Sequence, residues 1–124
     1  MAREYSLSVG GITLANAVVT LAFINPGTPQ SIEILRCGVS QSANAPSAQQ
    51  RVQLVTQVTA FPTLTSTTPA KLKIIDPVSV IIGGTAGAAG TCGTNASAEG
   101  AGAKTVILND AFNVLNGWLW VPTP

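Results

Sequence analysis

The apolar residues of this chain recur at every second position far more often than at the three-and-four spacing of a helix. In "RVQLVTQVT" (51–59), Val52, Leu54 and Val58 stand against Arg51, Gln53, Gln57 and Thr59. A near period of two puts the first set on one face of an extended strand and the second on the other. "KLKII" (71–75) repeats the pattern, with Leu72 and Ile74 set against Lys71 and Lys73. Further strands are predicted over "EYSLSV" (4–9), "ITLANAVVTLAFI" (12–24), "SIEILRCGVS" (31–40), "KTVILND" (104–110) and "GWLWV" (117–121). No segment carries helical spacing over two full turns.

Turn chemistry separates these strands. Gly10-Gly11 permits positive φ in a tight connection. "NPGTP" (25–29) has two prolines that cannot donate to a ladder and Gly27 for the bend. "ANAPSAQ" (43–49), "FPTLTSTTP" (61–69) and "DP" (76–77) read as loops on the same grounds. Short strands at fairly regular intervals with Gly/Pro punctuation predict one all-β domain over 1–124, an antiparallel β-sandwich or jelly-roll-like barrel. One segment departs from the pattern. "GGTAGAAGTCGTNASAEGAGA" (83–103) has few side chains to pack and reads as a long Gly/Ala-rich loop or arm within that domain. Ordering it alone costs roughly 1–2 kcal/mol per residue of backbone entropy, so a neighbouring subunit is the expected source of compensation.

Several strands are apolar on both faces. In 117–121, Trp118 and Trp120 share one face, and Leu119 and Val121 the other. In 18–24, Val18, Ala22 and Ile24 oppose Val19, Leu21 and Phe23; in 32–39, Ile32 and Ile34 oppose Leu35, Cys37 and Val39. For one strand, tryptophans in the core beneath a second sheet are the simpler explanation. The recurrence changes the balance, because a small antiparallel sandwich normally keeps one face of each strand solvated. Strands without a polar face exceed what one small core can hide, which predicts an oligomer or attachment to a larger assembly. The candidate interface residues are Phe112, Trp118, Leu119, Trp120 and Val121, tryptophan being a favoured interface anchor. The closing "PTP" ends ladder donation and protects a sheet edge.

Composition removes most other chemistries. The 124 residues include six Lys+Arg, five Asp+Glu and no His, for a net charge of +1. The basic residues are scattered, so no nucleic-acid partner is expected. No apolar run approaches the length of a membrane helix, and no membrane partner is expected. "MAREYSLSVGG" lacks the apolar stretch of a secretory leader, so a glycan on Asn95-Ala96-Ser97 is not expected either. Cys37 and Cys92 form no CxxC, and idle thiols are favoured over a disulfide, which spacing alone leaves open. Without His there is no Ser-His or Cys-His nucleophile and no imidazole metal site. The acids Glu4, Glu33, Asp76, Glu99 and Asp110 suggest no catalytic pair. "EGAGAKTVIL" (99–108) fails as a phosphate loop: Ala98 stands where the first glycine is needed and Ala103 precedes Lys104. The expectation is a non-enzyme without catalytic residues, cofactor or metal.

The segments "GTAGAAGTCGTNASAEGAGAKTV" and "DAFNVLNGWLWVPTP", with the opening "MAREYS", give the chain a resemblance to a family of small tailed-bacteriophage structural proteins. The resemblance spans most of the chain, and "GWLWVPTP" (Gly117 to Pro124) is its most specific part. It implies an all-β capsid decoration, or cement, protein without enzymatic activity. Such a protein is made in the host cytoplasm and placed on the outer capsid surface of the virion. The implied partners are the major capsid protein and further copies of the chain, as a homotrimer at local three-fold positions, with 83–103 and "MAREYS" as adaptable contacts. Family members are expected to continue past "VPTP" with a charged stretch and a further strand. The competing expectations are a phage tail or fibre component, and a carbohydrate-binding β-sandwich module that stacks sugars on Trp118 and Trp120.

Overall fold

The computed structural model describes residues 3–14, 19–42 and 47–123. Every regular element among them is a strand, and the protein is all-β with mainly antiparallel pairing. In chain order the strands are β1 (Tyr5–Ser6), β2 (Ala22–Asn25), β3 (Cys37–Val39), β4 (Gln49–Gln57), β5 (Thr63–Ser66), β6 (Ala70–Lys71), β7 (Ile82–Gly83), β8 (Thr91–Ala98), β9 (Lys104–Asn113) and β10 (Trp118–Trp120). The sequence predicts one domain; the chain clusters into two compact units, Met1–Ser31 with Thr59–Gly102, and Ile32–Val58 with Ala103–Pro124. No closed barrel forms among the described residues.

The first unit is built on a sheet of order β2-β8-β5, with β7 running parallel to β8. Its centre is the segment expected to be a loop. Within 83–103, residues 91–98 form β8, and Cys92, Thr94 and Ala96 are buried there. The expected Gly/Ala-rich loop is thus corrected to a central strand with loops on either side of it. Small side chains make this possible, because the adjacent strand β5 approaches β8 closely. A Cβ on Gly93 would stand 2.7 Å from both the Leu64 Cβ and the Thr65 carbonyl oxygen. Alanine, threonine and glycine are what a strand this crowded can carry, so low side-chain volume marks a tight fit here and not disorder.

The rest of the first unit closes around β8. Leu64, expected in the loop 61–69, is instead buried in β5, whose Thr-Leu-Thr alternation suits a pleat. Phe23 and Phe61 form a tilted ring pair with centroids 5.6 Å apart. Glu99 fastens the end of β8 to the chain before β2: its Oε1 accepts the Thr20 N–H at 2.6 Å, and its Oε2 accepts the Thr20 hydroxyl. Asn25 makes the predicted turn at 25–29, its Oδ1 accepting the Gly27 N–H at 3.3 Å.

Several predicted strands are shorter than expected. Segment 71–75 keeps only the Ala70–Lys71 pairing with β1, and a turn closed by Asp76 N–H to the Lys73 carbonyl at 3.1 Å replaces the rest. Among the described residues of 4–9, 12–24 and 31–40, strand is confined to 5–6, 22–24 and 37–39. Val18 lies outside the described residues.

The second unit comprises two two-stranded sheets, β4–β9 and β3–β10. Along β4–β9, Leu54 pairs with Leu108 but Val55 pairs with Val106, leaving Ile107 as an unpaired bulge residue. Val58, expected on one face with Val52 and Leu54, lies past the end of β4 and is 77% exposed, while Val55 and Gln57 are half-buried.

Candidate interaction surface

The expected interface residues all belong to the second unit. β9 ends at Asn113, whose Oδ1 accepts the Leu115 N–H at 3.0 Å and whose carbonyl accepts the Asn116 N–H at 3.0 Å. Gly117, at φ +69°, then turns the chain into β10. There Trp118, Leu119 and Trp120 pair with Val39, Gly38 and Cys37 of β3. The missing side chain at Gly38 matters, since a Cβ would lie 3.2 Å from the Trp118 carbonyl oxygen.

Period-two alternation now separates the five residues. Trp118 and Trp120 are half-buried, and so is Phe112 on β9. Leu119 and Val121 face solvent, 68% and 56% exposed. Trp118 is tied down by its indole Nε1, which donates to Asp110 Oδ2 at 3.0 Å. Asp110 and Phe112 lie two apart on β9 and share a face, so this bond sets the Trp118 ring on the Phe112 side of the strand. The bond donated by Trp118, with a second from the Ala111 N–H, holds the Asp110 carboxyl below the usual aspartate range. The tryptophans therefore anchor β10, and the free apolar face belongs to Leu119 and Val121.

Among the described residues of the second unit not one is buried; every described residue that is buried lies in the first unit.

A second apolar surface, in the first unit, was not read from the sequence. Ile74 and Ile75 in the turn after β6 are each 91% exposed. Just beyond, "VSVII" (78–82) is inside out: Ser79 and Ile81 are buried, and Val78, Val80 and Ile82 face solvent. Ser79 is accommodated because its Oγ accepts the Ile81 N–H at 3.1 Å. Alternation alone puts the valines and Ile82 on one face; which face turns inward depends on how β7 joins β8. In the sequence, Pro69 and Pro77 bracket Ile74 and Ile75, and "VSVII" follows Pro77 directly.

Both cysteines are free thiols. Cys92 is buried, with its Sγ donating to the Thr67 carbonyl at 3.0 Å, and Cys37 is half-buried on β3. Burial pushes both thiols above their ordinary range, which makes them poor nucleophiles.

No family model, no curated protein and no solved structure matches the chain.

Proposed function

We propose that the protein is a virion structural protein, a capsid decoration protein that binds the outer surface of the major capsid lattice as an oligomer and stabilises the shell. The observation that carries this reading is the amount of apolar surface left uncovered, with residues such as Ile74, Ile75 and Leu119 facing solvent in a chain of low charge. Monomeric soluble proteins rarely leave large contiguous apolar patches bare. A protein that works on a lattice covers them on arrival. The sequence resemblance to small phage structural proteins supports the same role.

The mechanism is thermodynamic. A ligand that binds the assembled, expanded shell and not its separate subunits stabilises the shell by mass action, by about 2.7 kcal/mol per site at a hundred times its dissociation constant. No step of chemistry is involved. Purified protein mixed with expanded shells and with unexpanded precursors tests the reading. It predicts co-sedimentation with expanded shells and a higher shell melting temperature. Absence from shells, together with immunolabel confined to the tails of virions, would replace this role by a tail or fibre role.

A further inference from the structure

We propose that β4 is the strand by which two copies of this chain join, its open edge pairing antiparallel with β4 of a second copy across a two-fold axis centred on Val52.

The direction of the backbone groups follows from one hydrogen bond. Val114 N–H donates to the Ala48 carbonyl at 3.0 Å, continuing the register in which Gln49 pairs with Asn113. In an antiparallel ladder, bonded and non-bonded pairs alternate. Gln50, Val52 and Leu54 therefore bond to β9, while Gln49, Arg51 and Gln53 point their N–H and C=O groups away from it. On β9 the outward groups belong to Asn109, Ala111 and Asn113. The two edges then differ. The Ala111 N–H is taken by Asp110 Oδ1 at 2.8 Å, so β9 is capped at its middle by its own carboxylate. β4 is nine residues long, without proline, lysine or acid, and Arg51 is its one charge. Natural proteins protect edges with proline, lysine and other charged side chains, of which β4 has Arg51 alone.

The partner is a second copy for two reasons. A lone two-stranded ribbon is marginal in water, and β4–β9 belongs to a unit with no buried residue among those described. Joining two ribbons edge to edge gives a four-stranded sheet in which both β4 edges are hydrogen-bonded. At a net charge of +1 the copies repel only weakly. Charge excludes one register. Centring on Arg51 would place two arginines directly opposite each other, which is destabilising. Centring on Val52 puts Arg51 against Gln53 of the second copy and Val52 against its counterpart. This two-fold contact differs from the three-fold arrangement that the resemblance implies, and it stands independently of the capsid role.

Cross-linking tests the register. In the pairing, Val52 meets its counterpart at a non-bonded position, with Cα atoms about 4.5 Å apart, within the span of a disulfide. In a Cys37→Ser background, Val52→Cys is expected to run mostly as a covalent dimer after oxidation, and Thr56→Cys as a monomer. Gln53→Pro removes an outward N–H and spares the β4–β9 backbone bonds; Gln53→Ala, which loses only the side-chain bond to Asn109 Oδ1, is its control and keeps the native mass. Gln53→Pro is expected to halve the sedimenting mass while the far-ultraviolet circular dichroism is retained. The proposal is overturned if Val52→Cys reacts with maleimide but does not cross-link. It is equally overturned if Gln53→Pro keeps the native mass, or if the native chain is a monomer or a trimer lacking the Val52→Cys cross-link. Loss of shell binding alone moves none of these readouts.

Discussion

The indole of Trp118 is hydrogen-bonded to the carboxylate of Asp110, eight residues earlier, at 3.0 Å. The bond links the two small sheets of the second unit, since Asp110 lies on β9 and Trp118 on β10. It also makes the tryptophan a reporter of one titration. The Asp110 pKa is lowered in the folded chain. Its contribution is therefore complete above the unfolded aspartate value of about 3.9 and is lost as pH falls through the lower folded value. Tryptophan emission is expected to change on acidification below about pH 4. In Asp110→Asn that change disappears, and an unaltered acid transition in this variant would contradict the assignment.

Gly93 should be among the least replaceable residues of the first unit. An added methyl would meet the Leu64 Cβ and the Thr65 backbone at 2.7 Å, and backbone cannot swing aside. Gly93→Ala is expected to destabilise by about 1–3 kcal/mol or more in urea unfolding. Gly10, with open space around its Cβ direction, is the control. Gly10→Ala should stay within about 0.5 kcal/mol of the parent.

Glu99 holds Thr20 through both carboxylate oxygens. Hydrogen bonds to a charged group are worth about 1.5–3 kcal/mol, so Glu99→Ala is expected to cost at least that much in chemical denaturation. Glu99→Gln keeps one acceptor and should fall between the two. Equal stability of all three proteins would show that the clamp contributes nothing.

How much of this was legible beforehand depends on what each pattern encodes. Alternation located β4, β9 and β10 well, because Val52, Leu54 and the Trp118–Trp120 pair report a pleat directly. The same alternation says nothing about which face turns inward, and "VSVII" buries its serine. The reading of 83–103 failed for a different reason. Low side-chain volume fits both a free loop and the most crowded strand of a sheet, and the arbiter is the neighbouring chain at Leu64 and Thr65. Among the five candidate interface residues, alternation separated Trp118 and Trp120 from Leu119 and Val121 but did not say which pair faces out; the Asp110 bond holds Trp118 inward, and Leu119 and Val121 are exposed.

The exposed isoleucines offer a separation of folding from function. Ile74 and Ile75 are each 91% exposed, so replacing both with lysine removes almost no burial within the chain. Unfolding free energy should remain within about 0.5 kcal/mol per substitution. If the turn after β6 docks on a capsid lattice, the same double variant loses shell binding, as read by co-sedimentation. Undiminished binding would assign the lattice contact elsewhere.

No described residue of the second unit is buried, and the proposal of self-association holds that this unit depends on a second copy to stay folded. Amide hydrogen exchange, measured over a dilution series from self-associated to monomeric protein, addresses it directly. The account predicts that β8 amides stay protected at every concentration, while β4 and β9 amides lose protection as the copies separate. Equal, strong protection of β4 and β9 in the isolated monomer would contradict it.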